Sequence, residues 1–378
     1  MAVPIDISSV SFSTCSYPRR LVGALLYIIL TCTLACENPT HPNDLTNYRL
    51  YAYPNSGNEL YIIDPNTFSL ISTLSIPAPD SIGLFGVTFS VDKEYFIFSG
   101  MELAPPFAFY IVSYDIKKDS LINMFVTGFD SVGAPRLFPG HNPDEPGLIY
   151  LYSHSLGMYS IDFLAQKVLD LISPEHYQGL GKTLKYSLNN KYAGILKKYG
   201  GDRSYSEIEI FDTNSGLYEP MTTLNDEDVD SVSVYDFEFS ADNQLIYVVY
   251  QLSRRRSREI RNYLGVYEIN TKTLTTFDIE LPWTINPYYM AQSTERKEIY
   301  TVGGDDIFYI IDIDNQNIKA TVRIEGKTSG ASRIAHRDDE EVAFVSCSYD
   351  DFIIAIDLDE KEIIRKIVMP RPYLLMIR

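Results

Sequence analysis

The chain of 378 residues is poor in the groups that usually carry chemistry: one Trp, four Cys, five His, and 32 Lys and Arg against 50 Asp and Glu. Each shortage excludes something. A formal net charge of −18 repels a phosphate backbone, so no nucleic-acid partner is expected. His41, His141, His154, His176 and His336 form no HxH or HExxH pattern, which removes the usual zinc spacings, and no metal is expected. GxSxG, Walker and GxGxxG motifs are also missing, so neither a catalytic residue nor a cofactor is assigned. Amphipathic helical periodicity is found nowhere. What is present is 29 Tyr, 19 Phe, 21 Gly and 20 Pro, with 45% hydrophobic and 22% charged residues. Half-buried strands joined by frequent turns need that composition, and disorder does not tolerate it. The expected class is all-β.

Residues 1–35 stand apart from the rest. Arg19 and Arg20 precede the apolar run Leu21 to Leu30, and Thr33-Leu34-Ala35-Cys36 follows, the layout of an export signal with a small residue before the cut. The apolar stretch is shorter than the ~20 residues a membrane-spanning helix needs. Leu34-Ala35-Cys36 resembles the lipobox of bacterial lipoproteins, although Thr33 stands where that family most often has Leu. The resemblance implies that Cys36 is lipidated and becomes the mature N-terminus, anchoring the chain to a membrane at the periplasmic or outer side of the cell envelope. A plain signal or an uncleaved anchor is the alternative. Residues 36–47, polar and Pro-containing after Cys36, read as a tether. Removal of Asp6, Arg19 and Arg20 takes away a net +1 and leaves the mature chain at about −19. Only Cys347 then remains in the domain, at the end of the apolar run that starts at Val342, where a small buried hydrophobe is expected.

From residue 48 to residue 378 one unit repeats. An apolar strand ends on an acid at Asp64, Asp115, Asp162, Asp212, Glu268, Asp312 and Asp357, spaced by 44 to 56 residues. Between these copies lies a second hairpin of the form apolar-Ser-x-Asp, clearest at Val87 to Asp92 and at Phe237 to Asp242. Tyr186 to Asn189 and Ser293 to Glu295 are degenerate forms. Four strands per period of ~40–50 residues is the pattern of a propeller blade. Middle strands such as Ile307 to Ile311 are apolar on consecutive positions because both faces of a blade are covered by neighbours. Seven copies predict a seven-bladed ring, with the strand Tyr373 to Ile377 completing the blade begun by Tyr48 to Tyr53 and Leu60 to Ile63.

On those residues the chain resembles the YVTN-type seven-bladed propellers. The last unit, Val342 to Asp357 followed by Ile363 to Val368, has that family's order of strand, small loop, strand, Asp turn and strand. The resemblance implies a fold that serves enzymes, electron-transfer proteins and scaffolds alike, and leaves function open.

The acidic turn residues recur in every blade, which points to a local role, in which each carboxylate accepts hydrogen bonds from turn N–H groups. Gly303-Gly304-Asp305-Asp306 reads likewise as a turn. Two groups remain as candidate binding sites on the rim that carries the second-to-third-strand loops and the between-blade loops. Arg254, Arg255, Arg256, Arg258 and Arg261 in one unit, with Lys197, Lys198 and Arg203 in the unit before, gather cations on an acidic body. Trp283, Tyr288, Tyr289 and Tyr177 fall in between-blade segments around the channel mouth. Such surfaces suit a protein or an anionic glycan. The expected function is therefore a lipid-anchored, extracytoplasmic binding or scaffold module. The alternative is a propeller enzyme of lactonase or quinoprotein type, which needs polar side chains converging in the channel. Arg136, Glu238, Arg333 and His336 are its inner-strand candidates.

Overall fold

The computed structural model describes residues 49–378 apart from 55–57, 77–81, 91, 103–107, 119, 131–135, 140–144, 154–156, 174–179, 188–190, 200–204, 213–217, 221–230, 255–258, 282–288, 325–332, 337–340 and 378. The export signal, Cys36 and the tether lie outside the described residues. No helix among those described is long and apolar enough to cross a membrane.

The described residues form seven four-stranded antiparallel sheets, six of which are consecutive in sequence. Blade 2 opens with the inner strand Ile82–Phe89, blade 3 with Arg136–Pro139 and blade 4 with Leu180–Tyr186. Blade 5 opens with Ser231–Phe239, blade 6 with Tyr289–Ser293 and blade 7 with Ile334–His336. The seventh sheet, blade 1, is built from both ends of the chain. Pro372–Ile377 is its inner strand, followed by Leu50–Pro54, Glu59–Ile63 and Leu70–Ser75. Leu50 pairs with Ile377, Tyr51 with Met376, Ala52 with Leu375 and Tyr53 with Leu374, so the ring is shut by hydrogen bonds between its termini. This is the seven-bladed propeller, with the clasp, that the repeat predicts.

Blade faces hold the ring together because each is apolar on both sides. Leu196 and Ile208 of blade 4 pack on Phe237 and Val248 of blade 5. Val249 and Leu264 of blade 5 meet Ile299 and Ile311 of blade 6. Phe308 and Ile310 join Val345 and Ile354 of blade 7, and Phe344 and Ile353 there meet Leu50 and Ile63 of blade 1. Around the other side, Tyr51 stacks edge-on against Phe96 with ring centroids 4.9 Å apart, and Tyr53 donates its hydroxyl to the Leu84 carbonyl at 3.3 Å. Ile97 and Ile111 of blade 2 pack on Ile149 and Leu151 of blade 3, and Tyr150 faces Tyr186 across the next boundary. Each fully buried side chain of this size contributes roughly 1.5–3 kcal/mol that an isolated blade would forfeit. At Gly194 the approach is so close that a Cβ would come within 2.5 Å of the Phe237 ring.

The acids of the repeat act as their spacing implies. Asp64 Oδ1 accepts the amides of Asn66 and Thr67, Asp312 Oδ1 that of Asn315, and Asp357 Oδ1 those of Asp359 and Glu360. Four residues after each of five of these acids, Phe68, Gln166, Lys272, Gln316 and Lys361 sit at φ between 49° and 60°. That left-handed conformation costs a non-glycine residue about 1–2 kcal/mol, which the carboxylate–amide bonds help to offset. The Ser-x-Asp hairpins form an equivalent lock: Ser240 Oγ donates to Asp242 and accepts the Leu245 amide, as Ser90 does with Asp92 and Tyr95.

Candidate functional site

The inner strands of blades 4 to 7 and of blade 1 wall a cavity of about 460 Å³ in the central channel, a size typical of small-molecule sites (~300–1,000 Å³). Blade 4 contributes Lys185 and Tyr186, and blade 5 contributes Asp236, Glu238 and the turn Ser240-Ala241. Tyr289 to Gln292 come from blade 6, Arg333 to His336 from blade 7, and Leu375 to Ile377 from the clasp strand. Closing the ring therefore also builds part of this wall.

A largely buried ion cluster lines the cavity on the side of blades 4 and 5. The pairing of Ser231–Phe239 with its neighbour shifts register between Val234 and Asp236, a bulge at Tyr235 that re-aims the residues after it. Asp236 is 1% exposed. Its Oδ1 accepts the Phe237 amide at 3.0 Å, and its Oδ2 accepts the Met290 amide at 2.8 Å and Lys185 Nζ at 3.0 Å. Lys185 Nζ also donates to Glu238 Oε1 at 2.5 Å. One carboxylate thus ties blades 4, 5 and 6 together. Burial opposes the charge on Lys185, but the two carboxylates outweigh it and hold the ammonium pKa above its ordinary value. Glu238 is shifted upward mainly by its own burial, with the Asp236 charge adding to the shift and Lys185 opposing it.

Arg333 occupies another part of the wall. Its guanidinium lies over the Tyr289 ring at 3.8 Å from the centroid, and its backbone amide donates to Ser346 Oγ at 2.7 Å. Arg333 Nε is buried and makes no hydrogen bond among the described residues. His336 stands edge-on to Tyr300 at 5.1 Å, with Nδ1 3.3 Å from the Val342 carbonyl oxygen. Apolar groups, including Met290, Ile334, Ala335 and Leu375, and the polar Gln292 and Thr294 complete the lining.

Outside the cavity a second buried carboxylate, Glu298, accepts from Arg296 Nε at 3.2 Å, from the Tyr300 hydroxyl at 2.8 Å and from Lys319 Nζ at 2.5 Å. Arg296 also reaches Asp359 of blade 7. This cluster is a tie between blades. Cys347 is fully buried, which pushes its thiol pKa up to about 12, the state of an inert core residue.

Among the inner-strand candidates read from sequence, Glu238, Arg333 and His336 come together at the cavity. Arg136 lies on the inner strand of blade 3, and its side chain is outside the described ones. Lys185 and Asp236 were not singled out by sequence reasoning. The signal available was three charged residues of both signs, Lys185, Asp236 and Glu238, on the inner strands of two adjacent blades.

Of the channel-mouth aromatics, Tyr289 lines the cavity, while Tyr177, Trp283 and Tyr288 lie outside the described residues. The rim cations fall on equivalent hairpins of blades 4 and 5. Lys197 and Lys198 are in the strand Tyr192–Tyr199, paired with Glu207 and Ser206, rather than in the loop after it, because the ladder runs on to Tyr199. Arg254 ends its strand opposite Glu259, and Arg261 is exposed opposite Leu252. Arg203, Arg255, Arg256 and Arg258 lie outside the described residues, as do the side chains of Lys197, Lys198 and Arg254. No group of three or more His, Cys, Asp or Glu among the described residues is arranged to hold a metal.

No protein-family model matches the chain, and no curated protein matches it by sequence. Solved structures do. Hydrazine synthase from Kuenenia stuttgartiensis superposes with a TM-score of 0.62 at 14% identity, over 82% of this chain and 92% of that one. Apo AztD from Citrobacter koseri gives 0.51 at 12% identity, over 88% and 98%. The dihydro-heme d1 dehydrogenase NirN, in complex with DHE, gives 0.55 at 14% identity, over 85% and 63%. Such low identities convey the propeller fold and nothing finer.

Proposed function

We propose that this chain is an exported, lipid-anchored binding module of the cell envelope that takes a small ligand into its propeller channel. Residues 1–35 direct export, Cys36 carries the lipid, residues 36–47 form the tether, and residues 48–378 form the receptor domain, of the YVTN type. The cavity walled by five blades carries the binding reading. Its ion cluster supports binding over catalysis, because Lys185 is engaged by both carboxylates and Asp236 commits both oxygens to protein donors. The enzyme reading draws on Glu238, whose raised pKa suits a general acid beside Arg333 and His336. At the rim, the equivalent hairpins of blades 4 and 5, with Arg261 exposed, suit a protein or anionic glycan as a further partner.

Mass spectrometry of the full chain recovered from a bacterial envelope tests both halves of the proposal. The denatured mass is expected to begin at Cys36 with acyl chains added, and the native mass to carry a non-covalent small molecule. An unprocessed chain contradicts the anchor. A bare native mass together with turnover of a lactone contradicts the binding reading.

A further inference from the structure

We propose that the channel ligand is a small organic carboxylate and that Arg333 is the residue that grips it. The inference rests on the cavity being a ligand site and adds which chemistry that site selects.

Arg333 differs from the other described charges in the channel and its walls. Lys185, Asp236 and Glu238 are all engaged in ion pairs within the protein. Arg333 has no carboxylate partner among the described residues, and its Nε is buried without a hydrogen bond. A buried guanidinium donor left unmade costs free energy. The Tyr289 ring covers one face of the guanidinium at 3.8 Å. Stacking occupies the face and leaves the in-plane N–H fork available, and that fork matches the two oxygens of a carboxylate.

The rest of the cavity fits an anion with an apolar body. Asp236 is held by two backbone amides and Lys185, so its charge is compensated. Glu238 is paired with the same lysine and is pushed toward its neutral form by burial. One part of the wall, from Met290, Ile334, Ala335 and Leu375, is apolar and suits a short hydrocarbon chain or ring, beside the polar Gln292 and Thr294.

The test is calorimetric titration of the full chain in detergent with hexanoate and benzoate, their neutral amides hexanamide and benzamide, and inorganic phosphate. Arg333→Gln and Arg333→Lys are compared with the parent, each first shown to melt cooperatively. The carboxylates are expected to bind about tenfold or more tightly than the amides. Arg333→Gln is expected to erase that preference, and Arg333→Lys to keep part of it through charge without the fork. Equal binding of acids and amides, or an unchanged preference in Arg333→Gln, overturns the grip while leaving the cavity a ligand site. Phosphate binding more tightly than hexanoate overturns the carboxylate assignment. Failure of every probe overturns the inference, and if the native mass from the envelope is also bare, the ligand-site reading falls with it.

Discussion

Removal of the last six residues, Tyr373 to Arg378, is expected to abolish the folded state. That segment supplies all but Pro372 of the inner strand of blade 1, and with it every backbone pairing of Leu50 to Tyr53 to the C-terminal strand. Leu50, Tyr51 and Ala52 are fully buried and Tyr53 is 1% exposed, so water would reach a strand with no polar side chain suited to it. Leu375 itself is buried in the cluster that joins blade 7 to blade 1. Leu50, Tyr51 and Leu375 each lose about 1.5–3 kcal/mol of burial, together a large share of the ~5–15 kcal/mol that holds a domain folded. Because each blade depends on its neighbours, the damage spreads around the ring. Urea unfolding followed by circular dichroism should show no cooperative transition in the truncated chain. A transition at the parent midpoint would mean that the termini do not close the ring.

Lys185→Met is expected to cost about 3–5 kcal/mol, at the lower end because the lysine side chain is one-fifth exposed. The substitution leaves Asp236 and Glu238 facing each other in a buried site with their shared cation gone. Restoring neutrality in the triple variant Lys185→Met, Asp236→Asn, Glu238→Gln should recover part of the loss, since the desolvated charges disappear with the lysine. The pH dependence follows from the directions of the shifts. Lys185 has its folded pKa raised above 10.5, so its stabilising contribution is full below that value and is lost as pH rises through the folded one. Glu238 has its folded pKa raised above 4.5, so it costs stability at neutral pH, and that cost shrinks as pH falls through the raised value. In Lys185→Met nothing opposes the upward push on Glu238, so the deficit against the parent should be largest at neutral pH and narrow on mild acidification. Lower still, below the ordinary aspartate value of 3.8, parent and variant both lose stability through the turn acids Asp64, Asp115 and Asp312, which leave the deficit between them unchanged. Their pKa values are lowered, for Asp64 and Asp115 against an opposing burial effect, by bonds to turn amides and, for Asp115, to Lys118. Stability they provide above 3.8 is lost as pH falls through their lowered values. Equal deficits at all pH values would show that the cluster is not electrostatically coupled.

The ring was legible in the sequence because its parts are local. An acid at the end of each third strand, a Ser-x-Asp hairpin between the first two strands, and an unpaired apolar strand at either terminus specify blade, period and closure. The acid and the Ser-x-Asp hairpin are short segments whose hydrogen bonds are made within their own turns, as Asp357 and Ser240 show, and the terminal strands are legible because each lacks a local partner. The channel site was only half legible. Glu238, Arg333 and His336 stood out as polar residues on inner strands, but which of them converge depends on blades 4 to 7 being adjacent and on the bulge at Tyr235. Lys185 and Asp236 were overlooked because each looks like an ordinary strand polar residue. Their pairing spans 51 positions in sequence, a separation that no local pattern encodes.

Closure of the ring supplies both the fold's stability and one wall of the cavity, since Leu375 to Ile377 serve in each. Native-state hydrogen exchange on the intact chain tests this most directly. The amides of segment 50–53, and those of 374–377 that bond to it, are expected to exchange only through global unfolding, with the same protection as the central strand Val342–Cys347. Rapid exchange at both terminal segments, with Val342–Cys347 still protected, would show that the propeller stands without its clasp and would contradict the account.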